Sequence, residues 1–552
     1  MTVEPTVEGW DPLHSASDPS AYWSTSNFGE AMPGVMTPLG WSLWGPTAER
    51  ATRAAFASMG ALTRRESRFP DDPLDRVCNV FYGRVAGRVD FLVGIGDRLP
   101  GTTGAAVAEQ VVGAMPDELS SVHSRRRYPV IAFRFPYSFA TIGRKVRKAN
   151  ELTERWWIGC VGRTGTLSRA GATRQYLDAA RRFDHNVTVQ GTHVLCAVQP
   201  VYDQLTQLVE RSGVGDVTSF MSGYGAHAES AIVTDMWAAS RGRIPIEEVV
   251  RRHGYHGPRE GEISGRVWRE DDTALRGLLD GYKALGDEAD PALGEESQRR
   301  EREALEAALL ASLPARGRPG ARLVMRLAKY VIPLRGVGKA AFLQSLDMAR
   351  ASARRIGECL ADEDVLDDSE DVFFLTSEEL VSPPRDARDL VARRRERHAH
   401  YATLEVPAAW LGQPVATPRT VGDERGEGNL IEGVGAAPGT VEGPVRVVTD
   451  PDDADVRPGE ILVAPTTDPS WASIMFISKA LVVDIGGVLS HAAIVARELG
   501  IPCVVNTKAG SRRLSTGDVV RVDGAAGRVD ILSRAVGRPD GDEGPDARPR
   551  TL

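Results

Sequence analysis

At 552 residues the chain exceeds what one hydrophobic core organises, so about two to four domains are expected. Its composition is that of a globular protein, 42% hydrophobic and 26% charged. The net charge of −8 and pI near 5.8 count against nucleic acid or an anionic membrane as the default partner, while leaving local basic patches open. Five scattered cysteines, Cys78, Cys160, Cys196, Cys359 and Cys503, form no Cys-x-x-Cys pair. They argue against a disulfide framework or structural zinc and for a reducing cytoplasm. The acidic "MTVEPTVEGWD" is no secretory signal, and no run of about 18 apolar residues suggests a membrane span.

From Pro5 to about Val406 the pattern is mostly helical. "VCNVFYGRVAGRVDFLVGI" (Val77 to Ile95) has two β-rich runs around Gly83 and Gly87 and predicts a strand pair. "HSRRRYP" (His123 to Pro129) reads as a solvated basic turn. In "GTHVLCAVQPVYDQLTQLVERSG" Pro200 should kink a helix or start a new one. Ser297 to Leu313 is rich in strong helix formers. Phe342, Leu346, Ala349, Ala353 and Ile356 follow helical spacing within Gly338 to Leu366.

"HGYHGPREGEISGRVWRED" is dense in functional side chains: His253, His256, Arg259, Glu260, Glu262, Arg266 and Arg269. Its glycines oppose a regular helix. Such a loop can bind phosphate and supply a base, or serve as a salt-bridged connection. Arg335 and Lys339 stand four apart, on one face if helical. Glu30, Thr37 and Trp41 either line the same cleft or belong to the core.

Residues 412–432 are rich in Gly, Pro and charge and predict a linker, able as a coil to span roughly 25 Å. Beyond it the pattern changes to short strands: Gly443 to Asp450, Glu460 to Pro465, Ala480 to Gly487 and Cys503 to Asn506. A hairpin is expected from Asp518 to Leu532 around Gly524 to Gly527. Two short helices fit between the strands, one over Ser470 to Lys479 and one starting near His491. Residues 537–552 are expected to be disordered.

In "GGVLSHAAIVARELGIPCVV" (Gly486 to Val505) a strand and a Gly-Gly turn precede Ser490, a good N-cap. Gly500 then stops the helix and Pro502 prevents its return. His491 falls in the first turn, where the dipole and unpaired N–H groups favour negative charge. There the imidazole should stay neutral and nucleophilic, and a phosphate borne on it would be favoured.

"GAAPGTVEGPVRVV", "PGEILVAPTTDPSWASIM", "GGVLSHAAIVARELGIPCVV" and "GDVVRVDGAAGRV" occur in the order and spacing of the swivelling phosphohistidine domain of the phosphoenolpyruvate-utilising enzymes. The segment from Gly433 to Leu532 resembles that domain, and the resemblance implies that His491 is the residue phosphorylated. Arg497 matches an arginine of the same motif. It lies roughly 120° from His491 on the helical wheel, so a phosphate contact and a structural role stay open. Leu489 replaces the threonine that several relatives carry, which removes threonine-based regulation there. More loosely, "NFGEAMPGVMTPLGWSLW", "RRHGYHGPREGEISGRVWRED" and "DEDVLDDSEDVFFLTSEEL" resemble the acceptor-binding domain of rifampicin phosphotransferases, and Arg335 with Lys339 resembles a basic pair facing its cleft. Relatives often place Glu where Gly336 stands.

The resemblance therefore implies a multidomain α+β protein. A mostly helical acceptor-binding domain (1–411) is followed by a linker (412–432), a small β/β/α swivelling domain (433–536) and a tail (537–552). No ATP-grasp domain is recognisable, and too few residues follow Leu532 for a β/α barrel of roughly 250 residues. The expected function is a cytoplasmic phosphotransferase component. It relays a phosphoryl group through His491 from a separate ATP-grasp protein, which would hold ATP and Mg2+, to a small-molecule acceptor. Ser490, Arg497, His253, His256, Arg259, Glu262, Arg335 and Lys339 are candidates for phosphate or acceptor binding. No metal site, nucleic acid or membrane is expected. Phosphorylation-driven condensation or dehydration, and a non-catalytic relic, are the alternatives.

Overall fold

The computed structural model describes residues 10–26, 32, 34–215, 217, 219–224, 231–419, 428–449, 456–467, 471–487 and 490–535. At His491 it describes the place in the helix and not the side chain. Glu30, Leu489 and the tail fall outside these residues.

The first 405 residues carry helices α1 (Pro38–Met59), α2 (Val89–Gly96), α3 (Gly104–Val112), α4 (Tyr128–Cys160), α5 (Arg169–His193), α6 (Gln199–Ser212) and α7 (Ala231–Ser240). They continue with α8 (Ile246–His253), α9 (Thr273–Ala284), α10 (Pro291–Ser312), α11 (Arg318–Val331), α12 (Leu334–Asp362), α13 (Ser377–Val381) and α14 (Ala387–Ala402). Strands β1 (Tyr22–Ser24), β2 (Cys78–Phe81), β3 (Arg84–Arg88) and β5 (Ala409–Leu411) form an antiparallel sheet in the order β2-β3-β1-β5. β4 (Leu404–Glu405) pairs with β6 (Thr417–Pro418).

The expected strand pair is the β2–β3 hairpin. Tyr82 and Gly83 turn it with φ of 49° and 73°, the left-handed conformation that a two-residue hairpin turn requires. The second β-rich run ends earlier than expected: from Val89 the chain is α2, because Arg88 ends the sheet pairing and Asp90 suits a first helical turn. Pro200 behaves as anticipated. α5 passes into a π-helical turn at Val194–Val198, and α6 restarts with the proline in its first turn.

α12 is the buried axis of this region. Gly338, Ala341, Ser345, Ala349, Ser352 and Ala353 are small and buried, which lets α5 and α4 approach closely. Asn186 of α5 donates to Thr153 Oγ1, Ala341 O and Ser345 Oγ at 2.9–3.1 Å, which pairs the polar atoms at the centre of this tight contact, whereas Gln190 Oε1 against Gly338 is buried without a partner among the described residues.

His193, at the end of α5, is fully buried, and neither ring nitrogen has a well-formed hydrogen bond among the described residues. Burial pushes its pKa down to about 4; the nearby Val331 backbone opposes this and the Arg335 charge adds to it. The unfolded chain therefore takes up a proton near pH 6.5 that the folded chain resists until about pH 4. Stability should be complete above pH 6.5 and fall by up to about 3 kcal/mol towards pH 4. Urea midpoints measured from pH 7 to 4.5 test this; His193→Gln should flatten the slope.

The second module carries β7 (Leu430–Glu432), β8 (Val434–Ala437), β9 (Thr440–Val447), β10 (Ile461–Ala464), β11 (Ala480–Val483), β12 (Cys503–Val505), β13 (Val519–Asp523) and β14 (Arg528–Ser533). They form one sheet in the order β7-β14-β13-β9-β10-β11-β12-β8, parallel from β9 through β12. The helices are α15 (Ala472–Ile477), α16 (His491–Leu499) and α17 (Gly510–Arg513), one more than expected. Alternation partitions the sheet. Leu462, Leu481 and Val483 face α15 and α16, while Ile461, Val463 and Val482 pack with Val520, Val522 and Ile531 of the β13–β14 hairpin. Both faces are thus covered, as parallel strands require.

Candidate functional site

β10 and β11 are adjacent and parallel, and the loops after both lie at one end of the sheet. Ile485 N donates to Pro465 O across them at 3.0 Å. At that end Thr466 Oγ1 is buried without a hydrogen-bond partner among the described residues. Sequence reasoning missed this group, although a polar pair directly after an apolar strand was the available signal. From the second loop the chain turns at Gly486 (φ 152°), where a Cβ would lie 3.0 Å from Ser490 Oγ.

Ser490 is the N-cap of α16. Its backbone is extended, and its Oγ accepts from Ala493 N at 3.3 Å. His491 is therefore the first residue of a helix that starts at the carboxyl end of parallel strands, the place where such sheets receive ligands. Gly500 caps the helix in the left-handed conformation at φ 69°. Arg497 is buried at 7% exposure, and its Nη1 reaches Ala436 O at 3.4 Å, so it ties α16 to β8.

The loop 254–272 is a plug rather than a flexible connection. His253, His256, Glu260 and Glu262 are all buried, whereas Arg259 is exposed at φ 53°. Gly257 lies against the loop's returning segment, where a Cβ would be 2.5 Å from Arg266 O. Glu262 accepts from Thr37 Oγ1 at 2.6 Å and Thr37 N at 3.2 Å, fastening the start of α1. Its carboxylate sits 2.7 Å from where a Cβ on Gly40 would be, so a side chain there would displace the carboxylate from Thr37. Trp41 belongs to the core.

Two histidine–carboxylate pairs meet in this plug. His256 Nδ1 is 2.6 Å from Glu260 Oε2, and His253 Nε2 is 2.8 Å from Asp235 Oδ2 of α7. Their rings lie 6.4 Å apart, and the His256 ring is held between Tyr255 and Trp268. A carboxylate at Nδ1 fixes the tautomer and leaves Nε2 of His256 as the basic nitrogen. Burial lowers the His253 pKa despite its Asp235 hydrogen bond, so that ring stays neutral. At Asp235 burial is outweighed by the His253 and Arg252 hydrogen bonds and charges, and its carboxyl falls below its ordinary range. Lys339 Nζ stands 3.3 Å from Glu260 Oε1. Arg335, one turn earlier, offers its backbone carbonyl to Gln190 Nε2, and its guanidinium has no ion pair among the described residues. The structure thus gathers His253, His256, Glu260 and Lys339. Ser490 and Arg497 stand with His491 in the other module.

The modules are in contact. Phe476 of α15 stacks on Tyr282 of α9 at 5.0 Å and meets Trp237 of α7 edge-on at 6.2 Å. Gln298 of α10 donates to the last carbonyls of α16, Arg497 O and Glu498 O, each at 2.8 Å. Trp268 of the plug belongs to the same apolar cluster. Tyr282 Oη and Trp237 Nε1 are nonetheless buried there without partners among the described residues, which weakens the docked arrangement by about 1–3 kcal/mol each. The doubly substituted Phe476→Ser/Gln298→Ala protein should therefore undock: its radius of gyration in X-ray scattering should rise and the second module should become protease-sensitive, with each module still folded.

Comparison with known proteins follows the same division. Residues 456–527 match the mobile domain of PEP-utilising enzymes, and residues 239–335 match the rifampicin phosphotransferase fourth domain. The uncharacterized phosphotransferase YvkC of Bacillus subtilis is 37% identical over 200 residues, 34% of this chain and 24% of that protein. The uncharacterized protein Rv2047c of Mycobacterium tuberculosis is 35% identical over 223 residues, 40% of this chain and 26% of that protein. A rifampicin phosphotransferase of Streptomyces sp is 32% identical over 301 residues, 53% of this chain and 35% of that protein. The chain thus matches about a quarter to a third of the length of these relatives. The resemblance to PEP-utilising enzymes read from its motifs is borne out over the mobile domain and over the region that contains the plug.

Proposed function

We propose that the chain is a phosphotransferase component in which His491 carries a phosphoryl group from a separate nucleotide-binding protein, with ATP and Mg2+, to a hydroxyl of a small molecule at the plug. The observation that carries this reading is the placement of His491. It opens a capped helix at the carboxyl end of parallel strands, in a module seated on α7 and α9, between which in the sequence the segment with the His256–Glu260 pair lies.

In the transfer step His256 Nε2 accepts the acceptor's hydroxyl proton, with Glu260 stabilising the imidazolium. The acceptor oxygen bonds to phosphorus as the phosphorus–nitrogen bond to His491 breaks, and the electron pair returns to the imidazole. Lys339 and Arg335 offset the negative charge on the transferring group. Most of the rate comes from positioning. The weakened interface suits a carrier that must leave this seat to be reloaded, and the chain between β6 and β7 would supply the tether.

The test incubates the chain with labelled ATP and a candidate ATP-grasp protein chosen from its gene neighbourhood. Acid-labile, base-stable label mapped to His491 by mass spectrometry supports the reading. Its absence from a folded chain that phosphoramidate also fails to label sinks it.

A further inference from the structure

The acidic balance of the chain is an average, and one face departs from it. Along α4, Pro129, Ala132, Phe133, Pro136, Tyr137 and Ala140 recur at helical spacing, and all are exposed. Phe133 is 84% and Tyr137 69% exposed, and Val122 in the preceding loop is 72% exposed. The opposite side of the helix, with Ile131, Ile142, Val146 and Ala149, is the side that joins the core. The outward stripe is therefore a second apolar face on a helix whose first is already used.

Its ends are basic. Arg125 and Arg126 precede the stripe, and Arg144, Lys145 and Lys148 follow it; all are exposed and none has an ion-pair partner among the described residues. From Leu119 to Asn150 the sequence has no Asp or Glu. The loop after α1 adds exposed Arg64 and Arg65. It is pinned beside them by Arg127, which donates to Gly60 O and Leu62 O. Of the acidic residues of that loop, Glu66 is paired with Arg98 at 2.8 Å, and Asp71 and Asp72 are exposed further along it.

We infer that this face of α4 docks on an anionic lipid surface, with Phe133, Tyr137 and Val122 entering the headgroup–acyl boundary and the flanking Arg and Lys residues meeting lipid phosphate and carboxylate. The inference is independent of the proposed phosphotransfer. Charge complementarity selects this occupant: an apolar strip bounded at both ends by cations, without an interposed carboxylate, is the pattern of a helix lying in a charged interface. Among the described residues no helix is long and apolar enough to cross a membrane, and α4 is held to the core along its inner side, so it would lie on the surface. A nucleic acid would be met by phosphate-binding donors along the strip, where this helix presents proline, alanine and aromatic carbon.

Flotation of the full chain with vesicles of phosphatidylcholine and 30% phosphatidylserine, against pure phosphatidylcholine vesicles, tests it. Wild type should partition onto the serine-containing vesicles in about 0.1 M salt and detach in 0.5 M salt. Arg125→Ser/Arg126→Ser should lower that partition roughly twentyfold, and Phe133→Ser/Tyr137→Ser at least about tenfold. All four positions are on the surface, and an unchanged circular dichroism spectrum confirms folding. Equal partition onto both vesicle types, no partition, or indifference to either double substitution would overturn the inference. So would binding of a 30-nucleotide RNA that these substitutions abolish without any vesicle binding.

Discussion

His491→Ala should lose all phosphoryl loading while remaining folded. His491 is the sole histidine from Tyr401 to the end of the sequence, so no neighbouring imidazole in its module can substitute for it. It is the first residue of α16, and alanine is readily accepted in a first helical turn. The helix keeps the Ser490 cap and the left-handed Gly500 stop, and its inner residues Ala492, Ala493, Val495 and Ala496 stay in the core. Removing a nucleophile that forms the covalent intermediate leaves only background chemistry, so loading and turnover should fall by at least about 10³-fold. Two donors separate the possible failures. Phosphoramidate phosphorylates an accessible histidine without any partner protein, whereas loading from ATP would, on the proposed reading, require the nucleotide-binding partner. A wild-type chain loaded by phosphoramidate alone points to the wrong partner; His491→Ala loaded as well as wild type by both donors refutes the carrier role. Ser490→Ala makes a useful contrast. It should cost about 1 kcal/mol by loss of one cap and still accept the label.

The second module was legible because its signals are local. Each of β9 to β12 is an apolar run bounded by turn residues, and α16 carries its own cap and stop. What escaped was what depends on distant partners. β7 and β8 are short, and "LIE" and "VGAA" have no β-rich character; they become strands because β14 and β12 offer open edges. The plug drew attention for its chemistry, yet much of that chemistry is structural. Glu262 holds Thr37, the cap residue of a helix more than two hundred residues earlier in the chain. Asp235, the partner that anchors His253, lies in a helix that no motif singled out. In "SLDMARASARR" the polar residues look like the solvent face of α12. Asp347 and Arg350 are fully buried instead, because the plug covers that side. On α4 helical spacing marks an apolar stripe but does not say whether protein covers it.

Asp347→Ala should destabilise the helical region by about 3–5 kcal/mol, the cost of leaving buried charge uncompensated. Asp347 is fully buried and accepts from Arg269 through both carboxylate oxygens at 2.9 and 2.8 Å, and from Trp157 Nε1 at 2.8 Å. Arg350 Nη1 stands 3.4 Å from it. Burial would raise its carboxyl, but the Arg269 charge and hydrogen bonds outweigh burial, so the group titrates below its ordinary range. Its contribution is therefore present above about pH 3.9 and is lost as pH falls below that value. The same arginines shape the plug. Arg350 donates to the backbone carbonyls of Glu260, Glu262 and Ile263 at 2.9–3.1 Å, so the loop that presents His256 is moulded around a guanidinium that Asp347 holds in place. Urea unfolding followed by circular dichroism should show the lower midpoint, and a cycle with Arg269→Gln should give strong coupling between the two sites. Under conditions where the variant is still folded, transfer to acceptor should fall while phosphoramidate loading of His491 is unchanged, because α16 shares none of these bonds. A loss below about 1 kcal/mol would show that the network is dispensable, and an equal fall in loading and transfer would show that the two modules do not divide the work.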